Sequence, residues 1–268
     1  MGRIVGGFAM SHVLGAPQGV EAQSERVFEG MKRLGAQLRA LKPDVLVMIS
    51  SDHLNNFSLK RPMPVGIAVD DAFTPYGDMG LPLDPIRGAP DFARGLVKAL
   101  EGRAAAFSEV RPDHGMMIPL GIVDPDRNLA VAPFYLNTVF AEALEPAQSY
   151  DLGRRLRAYV EVSRPQNETV AILAGGGLSH WLGVPEEGRV NAEWDEGFIA
   201  DLIEGRGADL ARLSNSDILR EAGNGGLEVN AWIALAGAMP GCRGERLFYE
   251  AVPEWASGMG GVALTPCT

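Results

Sequence analysis

The chain has 268 residues, 46% hydrophobic and 22% charged, with a formal charge of −10 at pH 7. This balance fits one large α/β domain with a sizeable core rather than a disordered or fibrous chain. Such acidity argues against a nucleic-acid partner, which needs clustered Lys and Arg, and the apolar runs are too short to span a bilayer.

In chain order, "RIVGGFAM" (3–10) reads as a strand and residues 19–41 as a helix. In that helix Val27, Met31, Leu34 and Leu38 recur at spacings of three and four and form one apolar face. "DVLVMIS" (44–50) and "PVGIAVD" (64–70) read as strands, followed by a Pro/Gly/Asp-rich loop (71–89), a helix at 90–101 and a strand near 104–110. The pattern continues with a strand at 128–136, a helix over 146–161 and a strand at 168–176. Residues 190–240 read as helical with breaks at the glycines, and 246–255 and 261–266 as closing strands. No repeat or linker divides the chain, so a single domain over 1–268 is expected. Its architecture is a central mixed β-sheet flanked by helices on both faces, the doublet at 44–70 and the C-terminal pair supplying the antiparallel part.

The two cysteines, Cys242 and Cys267, form no CxxC and no metal-finger spacing, which predicts reduced thiols and a cytoplasmic setting. "MGRIVGGFAMSH" has neither a full signal-peptide core nor the Ser or Thr of a myristoylation pattern, so neither secretion nor a lipid anchor is expected.

Histidines are scarce, and all four of them, His12, His53, His114 and His180, follow predicted strand runs. Ligands of open α/β sheets gather outside the carboxyl ends of strands, so these imidazoles are candidates for a common site. Imidazole serves as a metal ligand or as an acid/base near neutral pH. No HExxH or similar pair occurs, so a metal site would be assembled from distant segments and would need a further ligand, most naturally a carboxylate. Asp52 and Asp113 are read as capping or orienting their loops, because adjacent residues of an extended chain point to opposite faces. Glu228, in "GNGGLEVNAWIALAGAM" (223–239), stands among Leu227, Val229, Trp232, Ile233 and Leu235. A carboxylate there is costly to bury unless it is paired or holds a cation. Composition alone leaves open the alternative that it favours the positive end of the helix dipole from the first turn.

Five segments in order, "SHVLG" (11–15), "SDHLNNF" (51–57), "DHGMMIPL" (113–120), "GGGLSH" (175–180) and "GLEVNAWIALAGAM" (226–239), resemble the class III extradiol ring-cleavage dioxygenases. The catalytic (beta) subunit of protocatechuate 4,5-dioxygenase is the typical member. "GRVNAEWDEGFIADLIEG" (188–205) is similar to the family's segment after its fourth histidine. The resemblance implies a mononuclear Fe(II) held by His12, His53 and Glu228, a two-histidine, one-carboxylate facial triad with open positions for substrate and O₂. It also implies His180 as acid/base and His114 as a pocket residue that helps hold a substrate hydroxyl. The implied substrate is a small aromatic diol or aminophenol. The implied assembly is a homo-oligomer or a hetero-oligomer with a small helical subunit.

Other features are read without a functional role. Asn55 and Asn56 are expected to close a turn, Gly175 to Gly177 to allow close backbone packing near His180, and Trp181 and Tyr76 to pack in core and loop. Lys60 and Arg61 are read as solvated charge. Two further readings of the whole remain: a zinc-dependent hydrolase on the same ligands, and a non-catalytic binding module of the same fold.

Overall fold

A computed structural model describes residues 1–57, 63–139 and 143–267; Lys60 and Arg61 lie outside the described residues. In chain order the first half contains β1 (Arg3–Met10), α1 (Glu21–Leu41), β2 (Val45–Ser51), β3 (Val65–Ala68), β4 (Ala72–Phe73), β5 (Ile86–Arg87), α2 (Pro90–Ala99), β6 (Ala105–Phe107) and α3 (His114–Val123). The second half contains β7 (Ala130–Leu136), α4 (Pro146–Ser163), β8 (Thr169–Gly175), α5 (Ala192–Ile203), α6 (Gly207–Leu210), α7 (Asn215–Ala222), α8 (Val229–Ala238), β9 (Gly244–Val252) and β10 (Ser257–Leu264).

Eight of the strands form one mixed sheet in the order β6-β3-β7-β2-β8-β1-β10-β9. Its centre, β7-β2-β8-β1, is parallel, while β10 and β9 add antiparallel strands beyond β1. β2 is buried along its whole length, as a central strand covered on both faces must be. Its side chains alternate: Val45, Val47 and Ile49 face α4 and α8, while Leu46 and Met48 face α1 and α3. The expected stripe of α1 (Val27, Met31, Leu34, Leu38) is fully buried on the second face.

β2 and β3, expected as a doublet, are not neighbours. β7 lies between them, parallel to β2 and antiparallel to β3. A small β4-β5 hairpin also occupies the segment expected to be loop. Helix α3 carries no amphipathic signal because nearly all of it is buried, and it contains Pro119.

Every residue of α8 is buried, and it packs backbone to backbone on α4 through glycines. A Cβ on Gly153 would stand 1.9 Å from the Ala234 carbonyl, and one on Gly237 would stand 2.0 Å from that of Tyr150. This contact fixes α8, and with it Glu228 at its amino end.

The expectation of two reduced thiols is corrected. Pairing of Gly244 with Leu264 carries the flanking cysteines together, and Cys242 and Cys267 form a disulfide with Cα atoms 5.1 Å apart. Among the described residues no helix is long and apolar enough to cross a membrane.

Candidate active site

His12 and His53 each stand two residues beyond the carboxyl end of a strand, β1 and β2, with β8 between those strands in the sheet. His114 is the first residue of α3, and Asp113 caps that helix by accepting a hydrogen bond from the Gly115 amide at 3.0 Å. The three rings converge, with centroids 5.1 Å (His12–His53), 5.5 Å (His12–His114) and 4.2 Å (His53–His114) apart. One nitrogen from each lies within 4.8 Å of the others, a group that could hold a metal ion.

Glu228 joins this cluster. Its Oε1 is 2.9 Å from His53 Nε2 and its Oε2 is 3.7 Å from His12 Nε2. Ser51 Oγ donates to Oε1 at 2.5 Å and the Gly177 amide donates to Oε2 at 3.0 Å. Glu228 makes no side-chain cap to α8, so its carboxylate serves the histidines rather than the helix end. Gly176, at φ +104°, lets the chain pass: a Cβ there would sit 2.7 Å from Oε2. Gly176 thus packs against Glu228, Gly177 against Val229 and Gly175 against Gly115, where packing near His180 was expected.

The carboxylates dictate the charge states. Burial disfavours the His53 imidazolium, yet hydrogen bonds to Asp113 and Glu228 outweigh it and push its pKa up to about 11. Burial likewise opposes ionisation of Asp113, but its hydrogen bond with His53 holds its pKa down to about 2. Burial opposes ionisation of Glu228 as well, yet its contacts with His12 and His53 and the hydrogen bond from Ser51 outweigh it and hold the group well below the usual carboxylate range. His12, 1% exposed, is lowered to about 4 by burial and is therefore neutral, with Nδ1 lacking a hydrogen-bond partner among the described residues. Among the described residues Glu228 has only His12 and His53 as ion-pair partners.

This donor set fits a divalent cation: neutral imidazole, a carboxylate without Lys or Arg, and convergent nitrogens. His53 Nδ1 faces Asp113 Oδ2 at 3.1 Å and donates to it, which leaves Nε2 directed at Glu228. Asn55 Nδ2 also donates to Asp113 Oδ2, at 2.9 Å. His114 Nδ1 donates to Asp78 Oδ2 at 2.6 Å, freeing its Nε2 as an acceptor.

His180 is not hydrogen-bonded to this cluster. Its Nδ1 donates to the Ala256 carbonyl at 2.5 Å, so Nε2 holds the lone pair in the neutral ring. Gly225, three residues before Glu228, covers the ring, since a Cβ there would lie 2.3 Å from His180 Cδ2. Gly225, His53 and Glu228 line one cleft of about 540 Å³.

The reading of Asp52 and Asp113 as orienting residues agrees with these contacts. Asp52 accepts from the amides of Asn56 (3.0 Å) and Phe57 (2.8 Å) and closes the turn after His53. What the sequence reading missed is that Asp113 orients His53, far away in the chain, and that Asp78 pairs with His114. "DHG" signals a carboxylate but not its partner, and nothing in the loop around Asp78 signals its role. Asn56 closes the expected turn, whereas Asn55 reaches the Asp113 carboxylate. Trp181 is buried with the Arg189 guanidinium 4.6 Å from its ring centroid, and Tyr76 is an exposed loop residue under Arg111.

Residues 6–260 match the family described as the catalytic LigB subunit of aromatic ring-opening dioxygenase. Among curated relatives, 2,3-dihydroxyphenylpropionate/2,3-dihydroxicinnamic acid 1,2-dioxygenase of Photorhabdus laumondii is 25% identical, over 92% of each chain. A second enzyme of that name from Dechloromonas aromatica is 27% identical over 86% of this chain and 88% of its own. The solved structure of an uncharacterized protein, JW3007 from Escherichia coli K12, shares the fold with a TM-score of 0.65 at 16% identity, over 97% of this chain and 99% of the other.

Proposed function

The chain belongs to the family of the catalytic LigB subunit of aromatic ring-opening dioxygenases, and we propose that its extradiol (meta) cleavage of a catecholic ring depends on Fe(II) held by His12, His53 and Glu228. One observation carries this reading: a buried carboxylate set against the Nε2 atoms of two histidines, with no Lys or Arg to neutralise it among the described residues. Three imidazoles alone would leave a divalent charge uncompensated, which favours Glu228 over His114 as the third ligand. The whole chain, 1–268, then acts as one catalytic domain.

Bound Fe(II) would supply the electron relay between the ring and O₂ that a closed-shell diol and a triplet oxygen molecule lack. Everything else is done by side chains. Asp113 fixes the His53 tautomer and keeps Nε2 turned inward. Displacement of the proton on that nitrogen by the metal makes loading easier as pH rises. His180 Nε2 takes the hydroxyl proton as the diol binds and can return it as the ring opens, Nδ1 being anchored to the Ala256 carbonyl throughout. His114, held by Asp78, offers Nε2 to a substrate hydroxyl.

The test is anaerobic reconstitution with Fe(II), followed by addition of catechols and air. The expected result is a yellow, near-ultraviolet-absorbing ring-cleavage product and both atoms of ¹⁸O₂ in it. Inactivity with iron, together with zinc-dependent hydrolysis of esters or amides, would overturn the proposal. An assembly as a homo-oligomer or with a small helical subunit belongs to the same reading, and sedimentation of the chain alone decides between them. So does a cytoplasmic setting, against which the Cys242–Cys267 bond weighs; thiol titration of freshly lysed protein tests it.

A further inference from the structure

The cleft that holds His53 and Glu228 has an unusual wall for the site of a hydroxylated substrate. Val139, Leu182 and Leu219 line it while remaining 56%, 46% and 44% exposed, and Leu227 and Ala143 extend the same surface. Large aliphatic side chains left open to solvent in a cleft mark a surface that receives an apolar group.

The two amides in the wall are committed elsewhere. Asn224 donates to the Leu182 carbonyl at 2.9 Å and accepts from the Leu182 amide at 2.9 Å, which pins the backbone that presents Leu182. Asn215 donates to the Leu144 carbonyl at 3.0 Å and accepts from Asn230 Nδ2 at 3.1 Å. Both amides thus brace the wall, each through its oxygen and one Nδ2 hydrogen. Among the described lining residues there is no Lys or Arg, and the carboxylate of Glu228 is present. The chain's net charge of −10 adds a field that repels anions.

Resting on the ring-cleavage reading above, we infer that the substrate is a catechol whose ring substituent is uncharged and apolar, such as an alkyl or aryl group, and that a carboxylate on that substituent is selected against. A carboxylate placed against Leu182 and Leu219 would give up part of its hydration to aliphatic surface and meet no cation among the described lining residues. The relatives named for 2,3-dihydroxyphenylpropionate have, by that name, a substrate ending in such a group.

The test compares 3-propylcatechol, 2,3-dihydroxyphenylpropionate and the methyl ester of the latter on the Fe(II)-reconstituted chain. It reads kcat/KM in air and, without oxygen, the rise in Tm that each diol produces. The expected result is that the alkylcatechol and the ester exceed the acid by at least about tenfold in kcat/KM and give the larger Tm shift. Leu182→Arg and Leu219→Arg should each narrow or reverse that preference. The inference is overturned if the acid equals or exceeds its neutral analogues. It is also overturned if Lys60→Ala or Arg61→Ala selectively weakens the acid, since a cation would then serve its carboxylate. Failure of all three diols to bind or react overturns the ring-cleavage reading itself, a result distinct from cleavage with the wrong preference.

Discussion

Glu228 and Asp195 are carboxylates buried on either side of one loop, and their pKa values are displaced in opposite directions. The Gly177 amide donates to Glu228 at 3.0 Å and, two residues on, the Ser179 amide donates to Asp195 at 2.8 Å. Burial pushes both pKa values up. For Glu228 the facing histidines, with His53 protonated, reverse that push, and the group is ionised throughout the working range. Asp195 faces the hydroxyls of Ser179 and Tyr249, each at 2.8 Å, and burial prevails, bringing it up to about 6. Burial therefore does not decide the charge of a carboxylate here; the chemistry of its partners does. One side of the loop suits a cation, and the other anchors the segment that carries His180.

Four measurements would break or sharpen this contrast. The largest effect is expected for Glu228→Gln, which keeps the shape and removes the charge: iron content should fall to background and turnover with it, by metal analysis and product formation. Full iron occupancy in that variant would make Glu228 only a hydrogen-bond partner of His53. Next is His180→Ala, which should retain iron while kcat falls by roughly 10²–10⁴-fold, the usual worth of a positioned acid/base. Loss of iron from it would place His180 on the metal side of the loop. Asp113→Asn should weaken iron binding or turnover by about 10–100-fold, because His53 then loses the carboxylate that sets its tautomer and faces an amide able to donate as well as accept. An iron titration of the purified variant reads this directly.

The smallest effect concerns Asp195. Its pKa rises from 3.8 to about 6 on folding, so the folded chain holds more protons than the unfolded one between those values. Its contribution to stability is therefore full below about pH 4 and lost as pH rises through about 6, by at most about 3 kcal/mol. Urea midpoints at pH 4 and pH 6 should drift apart less in Asp195→Asn than in the wild type. Equal drift in both proteins would show that the neighbouring hydroxyls already satisfy the charged form.

Much of this was legible in the chain. Short continuous apolar runs in β1, β2 and β8 marked the buried strands, and the histidines beyond their ends followed from where open α/β sheets bind ligands. The apolar setting of Glu228 flagged a carboxylate that needed a partner. Helix α3 was not legible, because residues buried on all sides carry no 3.6-residue stripe, and Pro119 lies within it. The β2–β3 doublet failed because strand pairing is settled by the sheet, not by adjacency in sequence.

By itself the sequence determined the mixed α/β architecture, the strand ends that carry histidines, and the identity of the carboxylate able to join them. The tertiary structure decided which groups meet. Asp113 lies 60 positions from His53 and Asp78 lies 36 from His114, separations at which no local pattern can report a contact. The same holds for the disulfide between Cys242 and Cys267, and for the aliphatic wall that α7 and the loops after β7 and β8 bring to one cleft. Local periodicity records which face of an element is buried; only the packed sheet fixes what that face is buried against.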